Sequence, residues 1–105
     1  MARPVTVTIS HDLGKEEARR RVADGFGDLK RHIAGGMLFR FEENWAGEDR
    51  LVFAARGFGQ HVTGTIDVFP QHVRIEVVLP DLLAAIAEKI AGRVEKKGRL
   101  LLEKK

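Results

Sequence analysis

The chain has no cysteine in its 105 residues, so it can form no disulfide and offers no thiolate to a metal or to a nucleophilic reaction. A reducing cytoplasm suits such a protein. Long apolar runs are missing too. The opening MARPVTVTIS carries no stretch of signal-peptide length, and no later segment approaches the ~20 apolar residues that cross a bilayer. A soluble, cytoplasmic protein with no membrane span is therefore expected. Linkers, repeats and low-complexity tracts are also absent. With 44% hydrophobic and 31% charged residues, the composition fits one globular domain, residues 1–105, just large enough to bury a useful core.

Chemical signatures are equally scarce. The four histidines, His11, His32, His61 and His72, are scattered, with no His-x-x-x-His or Glu-x-x-His pair to seat a metal, and each reads as a turn or surface residue. Gly57-Phe58-Gly59 sits between two strand patterns and lacks the strand-to-helix context of a phosphate cradle. There is no Gly-x-Ser-x-Gly elbow, and Ser10 has His11 only as a sequence neighbour. Without a nucleophile, a base and a third group to orient them, no enzyme, cofactor or metal is expected. Glu43 is the one carboxylate in phase with an apolar strand face. Facing inward it could serve as a raised-pKa acid or base; the commoner outcome is a bulge or a frayed strand end.

What the chain does have is clear periodicity. Val5, Val7 and Ile9 alternate with Thr6 and Thr8, a short half-buried strand. A helix follows, with Gly14 as N-cap, the stripe Ala18, Val22, Phe26, Leu29 and Ile33 on one face, and Gly35-Gly36 as terminator. Gly25 and Gly27 weaken it in mid-course and are consistent with a close crossing or a kink. Phe39, Phe41 and Trp45 alternate with Arg40, Glu42 and Asn44, and Leu51, Phe53 and Ala55 form the inward set of the next strand. The segment VTGTIDVFPQHVRIEVVLP gives two more strands around a Pro-Gln turn, then passes at Asp81 into a single long helix with apolar residues three and four apart.

The order β-α-β-β-β-β-α constrains the topology. Hairpin-linked strands alternate in direction, and a strand–helix–strand return makes the first two strands codirectional. The first strand can then pair antiparallel only with the free edge of the fifth. An α+β fold follows: a five-stranded antiparallel sheet of order 1-5-4-3-2, with two helices on one face and the sheet curled round the C-terminal helix. This arrangement resembles a miniature helix-grip fold, related in outline to START-like domains. In it Ile86, Ile90 and Val94 are expected to pack on Phe41, Phe53, Ile66 and Ile75, with Gly64 admitting the helix.

Two groups of residues are candidates for function. Phe39, Phe41, Trp45, Phe53, Phe58 and Phe69 either line a hydrophobic pocket or form the core, with Phe58 and Phe69 placed toward solvent as a contact surface. From Glu88 onward, seven basic residues face three acidic ones, while the rest of the chain sums to −1. Interspersed glutamates dilute this basic helix and no aromatic residue lies within it to stack bases, so nucleic-acid tethering is the weaker reading. Leu100, Leu101 and Leu102 form an apolar tip collared by Lys96, Lys97, Arg99, Lys104 and Lys105. That tip suits an interfacial anchor or, equally, a helix end folded back on the domain. As an anchor, the segment from Gly98 onward should be removable without unfolding the domain.

ISHDLGKEEARRRV, GFGQHVTGTIDV and VRIEVVLPDLLAAIAEKI resemble the polyhydroxyalkanoic acid system protein family, small bacterial proteins associated with storage-polyester synthesis and granules. The likeness runs roughly from Val5 to Gly98, and its motifs are structural junctions. It implies a non-enzymatic accessory that binds the granule surface, a granule protein or an acyl intermediate. A small hydrophobic-ligand domain or an enzyme acting on hydroxyacyl groups is the alternative. A homodimer is left open.

Overall fold

Period-2 alternation interrupted by turn residues becomes antiparallel sheet. The computed structural model, which describes residues 3–33 and 39–103, contains five strands and three helices. They are β1 (Arg3–Ser10), α1 (Lys15–Ile33), β2 (Arg40–Trp45), β3 (Arg50–Gly57), β4 (Gln60–Val68), β5 (His72–Leu79), α2 (Asp81–Ala84) and α3 (Ala87–Leu101). The sheet is antiparallel throughout, in the order β1-β5-β4-β3-β2 that the direction argument requires. The Gly35-Gly36 terminator expected for α1 lies outside the described residues.

One face of the sheet is apolar. Val7 and Ile9, Leu51, Phe53 and Ala55, Val62, Ile66 and Val68, and Val73, Ile75, Val77 and Leu79 are all buried there. α1 buries its whole predicted stripe, Ala18, Val22, Phe26, Leu29 and Ile33, against this face. Its first turn opens at Gly14, which takes a φ of 80° and accepts the Ala18 N–H at 3.1 Å. α3 lies beside α1 and over β1. Two glycines set that approach. A Cβ on Gly25 would collide with Leu101, and one on Gly98 with Ile9. Gly27 has open space around it and serves no such crossing.

The C-terminal helix differs from the sequence expectation. Pro80 carbonyl accepts the N–H groups of both Leu83 and Ala84 at 2.9 Å, which makes a tight first turn. Ile86 then donates back only three residues, to Leu83, and leaves helical geometry at φ −117°, ψ 24°. The tight exit from β5 therefore ends α2, and α3 starts afresh as Ile90 N–H bonds Ile86 carbonyl at 3.0 Å. Ile86, expected in the core, is 39% exposed; Ala87, Ile90, Val94 and Gly98 are the buried set. Phe41 and Phe53 pack on Phe26 of α1, with ring centroids 6.3 and 5.2 Å from it, and not on α3 as expected. Gly64 also has a different purpose. It pairs with Phe53 in register, and a Cβ there would strike the Phe53 ring and the Glu76 carbonyl, so the glycine admits a neighbouring ring and not a helix.

Candidate functional site

The exposed face of α3 carries the most distinctive charge arrangement in the molecule. At 3.6 residues per turn, Lys89, Arg93, Lys96, Lys97 and Leu100 fall within an arc of roughly 100°. Glu88 and Glu95 lie roughly 80–100° beyond that arc, and Glu95 accepts from Arg99 at 3.1 Å. The glutamates therefore do not dilute the basic stripe, contrary to the reading from linear sequence. Among the described residues, Lys89, Arg93, Lys96 and Lys97 have no carboxylate partner. Exposed apolar side chains bracket the stripe, Ile86 at one end and Leu100, 54% exposed, at the other. Arg93, Lys96, Lys97 and Leu100 surround a shallow depression of about 300 Å³.

The expected leucine tip is resolved into three different roles. Only Leu100 is exposed. Leu101 is half-buried and lies against Gly25, and Leu102 is 5% exposed in the core. Arg21 of α1 reinforces this seam by donating to the carbonyls of Leu101 at 3.3 Å and Glu103 at 2.5 Å. Residues 98–103 are thus part of the fold, which corrects the expectation that the segment from Gly98 onward could be deleted harmlessly. Leu102 is no surface anchor. Lys104 and Lys105 of the proposed collar lie outside the described residues.

The six aromatic candidates are distributed over several places. Phe53 is buried in the core, and Phe41 is half-buried with Lys30 Nζ 5.8 Å from its ring centre. Trp45 is covered by the Arg19 guanidinium at 4.0 Å, a cation–π contact that shields the inner side of the β2 edge. Phe58 and Phe69 do not form one surface, because they occupy the turns at opposite ends of β4. Phe58 is 63% exposed and faces Phe39 at 5.8 Å between centroids. Phe69 stacks on His72 at 4.5 Å.

Glu43 is exposed near Lys30, 3.7 Å away, in a strand whose register runs unbroken from Arg40↔Arg56 to Trp45↔Leu51. It is on the helix side of the sheet, as its phase implies, but exposed at the β2 edge beside Lys30, and it forms no bulge. His11, by contrast, is buried; of the turn or surface position expected for it, it has the loop position but not the exposure. Its Nδ1 accepts the Leu13 N–H at 3.2 Å, which leaves Nε2 to donate to Phe69 carbonyl at 3.0 Å. The residue ties the β1–α1 loop to the β4–β5 turn, a role the sequence signals only through its place at a strand end. His61 is exposed and His72 half-buried on the outer sheet face. The side chain of His32 lies outside the described residues. On α1, hydrogen bonds from Arg20 and then Arg21 hold the Glu17 carboxyl down at about 2. No three His, Cys, Asp or Glu side chains among the described residues are grouped to hold a metal, and no described helix is long and apolar enough to cross a membrane.

The family model described as "Putative polyhydroxyalkanoic acid system protein" matches residues 5–102. The chain belongs to this family. The family's name points to the polyhydroxyalkanoic acid system. No curated protein matches it. Two solved structures are similar in outline. The crystal structure of Ara h 8.0201 aligns with 8% identity over 99% of this chain and 100% of its own, at a TM-score of 0.39. A truncated norcoclaurine synthase from Thalictrum flavum aligns with 10% identity over 100% of this chain and 96% of its own, at a TM-score of 0.38. Likeness at that level says nothing about what this polyhydroxyalkanoic acid system protein binds.

Proposed function

We propose that the protein is a non-enzymatic cytoplasmic accessory of the polyhydroxyalkanoate system and attaches to the granule surface through the exposed face of α3. The observation that carries this reading is the stripe Lys89, Arg93, Lys96 and Lys97, without carboxylate partners among the described residues and bracketed by exposed Ile86 and Leu100. A helix that lays apolar side chains into a hydrophobic boundary gains from their burial, while its cations meet anionic groups in the interface. Each basic residue near an anionic surface contributes about 1 kcal/mol, so four of them give reversible, salt-sensitive attachment. Packing against the sheet and α1 keeps the neighbouring Ile90 and Val94 in the core and leaves the stripe facing outward.

Co-sedimentation with isolated polyester granules tests the proposal. The triple variant Arg93→Glu, Lys96→Glu, Lys97→Glu changes surface side chains and should keep the wild-type circular dichroism spectrum. It is expected to stay in the supernatant where the wild type pellets, and added salt should release the wild type. Equal pelleting of a folded triple variant would eliminate α3 as the attachment surface.

A further inference from the structure

The outer face of the sheet, opposite α1 and α3, is electrostatically matched at one end and mismatched at the other. Toward the β4–β5 turn, cations face anions: Arg50 pairs in register with Asp67 and bonds it at 2.6 Å, and Arg74 contacts Glu76 at 3.2 Å. Toward the β3–β4 turn the register instead sets Arg40 opposite Arg56, and Arg56 opposite His61, in one row across three strands. All three are exposed, and none has a carboxylate partner among the described residues. Like charges directly opposite each other on adjacent strands are destabilising, with Cβ atoms only ~5 Å apart. The next row is Glu42, Ala54 and Thr63. Its small central residue leaves a depression of about 480 Å³ lined by Arg40, Glu42, Ala54, Arg56 and Gly57.

We propose that this depression binds a small hydroxycarboxylic acid. Arg40 and Arg56 are cross-strand partners and both line the depression, so two guanidinium groups, each a fork of N–H donors suited to a carboxylate, are within reach of one ligand there. Glu42 disfavours a bare anion but accepts a hydrogen bond from a ligand hydroxyl, so the site selects a molecule carrying both groups. Phe58 follows Gly57 in a two-residue turn with φ of 55° at Phe58 and 70° at Gly59, a conformation that favours asparagine or glycine at both positions. Its ring, 63% exposed, lies against Phe39, which packs on the core side of the sheet, and takes no part in lining the depression. The site is on the other side of the sheet from α3, so it stands or falls independently of granule attachment.

Amide chemical-shift titration of the full chain with 3-hydroxybutyrate, butyrate and inorganic phosphate tests this. Shifts are expected at Arg40, Ala54, Arg56 and Gly57, with 3-hydroxybutyrate bound more tightly than either other probe. Arg56→Gln should weaken that binding about tenfold, the loss of one charge-assisted pair, while leaving the melting temperature unchanged or raised, because it removes a like-charge contact. Glu42→Ala should erase the preference over butyrate. The proposal is overturned if no shifts map to the depression, if phosphate or butyrate binds as tightly, or if Arg56→Gln binds normally. It is equally overturned if the loss in Arg56→Gln comes with a lowered melting temperature.

Discussion

Leu100 and Leu102 sit two residues apart in a run of three leucines, yet the fold treats them as opposites. That contrast gives a prediction with its own control. Leu102 is 5% exposed, and its N–H caps α3 by bonding Gly98 carbonyl at 3.1 Å. Leu102→Ala keeps the cap and removes only the buried side chain. Buried leucine-to-alanine changes cost about 2–5 kcal/mol, and a chain end can relax into the space, so a loss of about 2–3 kcal/mol is expected. At roughly 4–8 °C per kcal/mol for a domain of this size, the melting temperature should fall by about 10–20 °C. Leu100 is 54% exposed, and Leu100→Ala should stay within about 0.5 kcal/mol of wild type. Urea titration followed by circular dichroism measures both. If the two variants lose the same amount, or Leu102→Ala loses less than about 0.5 kcal/mol, the C-terminal seam against α1 is not part of the core.

Four further outcomes follow from particular residues. Gly27→Ala should stabilise the protein by about 0.5–1 kcal/mol through helix propensity, because nothing lies within 4 Å of the new Cβ. Gly25→Ala must displace Leu101 and should destabilise relative to Gly27→Ala; equal melting temperatures would remove the close crossing. Phe58→Asn should stabilise the β3–β4 turn by about 1 kcal/mol, since asparagine tolerates the left-handed conformation, and a lowered melting temperature would show that the ring is needed for folding. The Glu17 carboxyl is lowered from its ordinary 4.5 to about 2, so its contribution to stability is fully present above pH 4.5 and disappears as pH falls toward 2. Glu17→Gln should flatten that part of the stability–pH curve, and an unchanged acid slope would refute the ion-pair assignment.

The sheet order was legible because hairpin alternation plus one helical return leaves the first strand a single free edge. The α1 stripe was legible because spacing alone decides which residues share a face. What linear sequence concealed was packing at close range. Nothing in the spacing of Ile86 distinguishes it from Ile90; the doubly accepting Pro80 carbonyl and the tight turn after it move Ile86 to the surface. Gly64 looked like room for a helix because the cross-strand partner of a glycine is unknown until the register is fixed, and that partner is Phe53. The same limit hid both sites. Glu88 and Glu95 interrupt the basic stripe in sequence but not around the helix, and Arg40, Arg56 and His61 lie on three strands that only the register aligns.

The proposed attachment of α3 to granules is tested most directly by comparing lysine acetylation of the wild-type protein free in solution and mixed with isolated granules, read by mass spectrometry. Lys89, Lys96 and Lys97 should be slowed on granules. Lys15, paired with Asp49 at 2.8 Å, and Lys30, near Glu43 on the far side of the domain's helical layer, should react at the same rate in both states. Protection confined to the α3 lysines is the result the account predicts. Unchanged reactivity at all three, or protection at Lys15 and Lys30 instead, would contradict it.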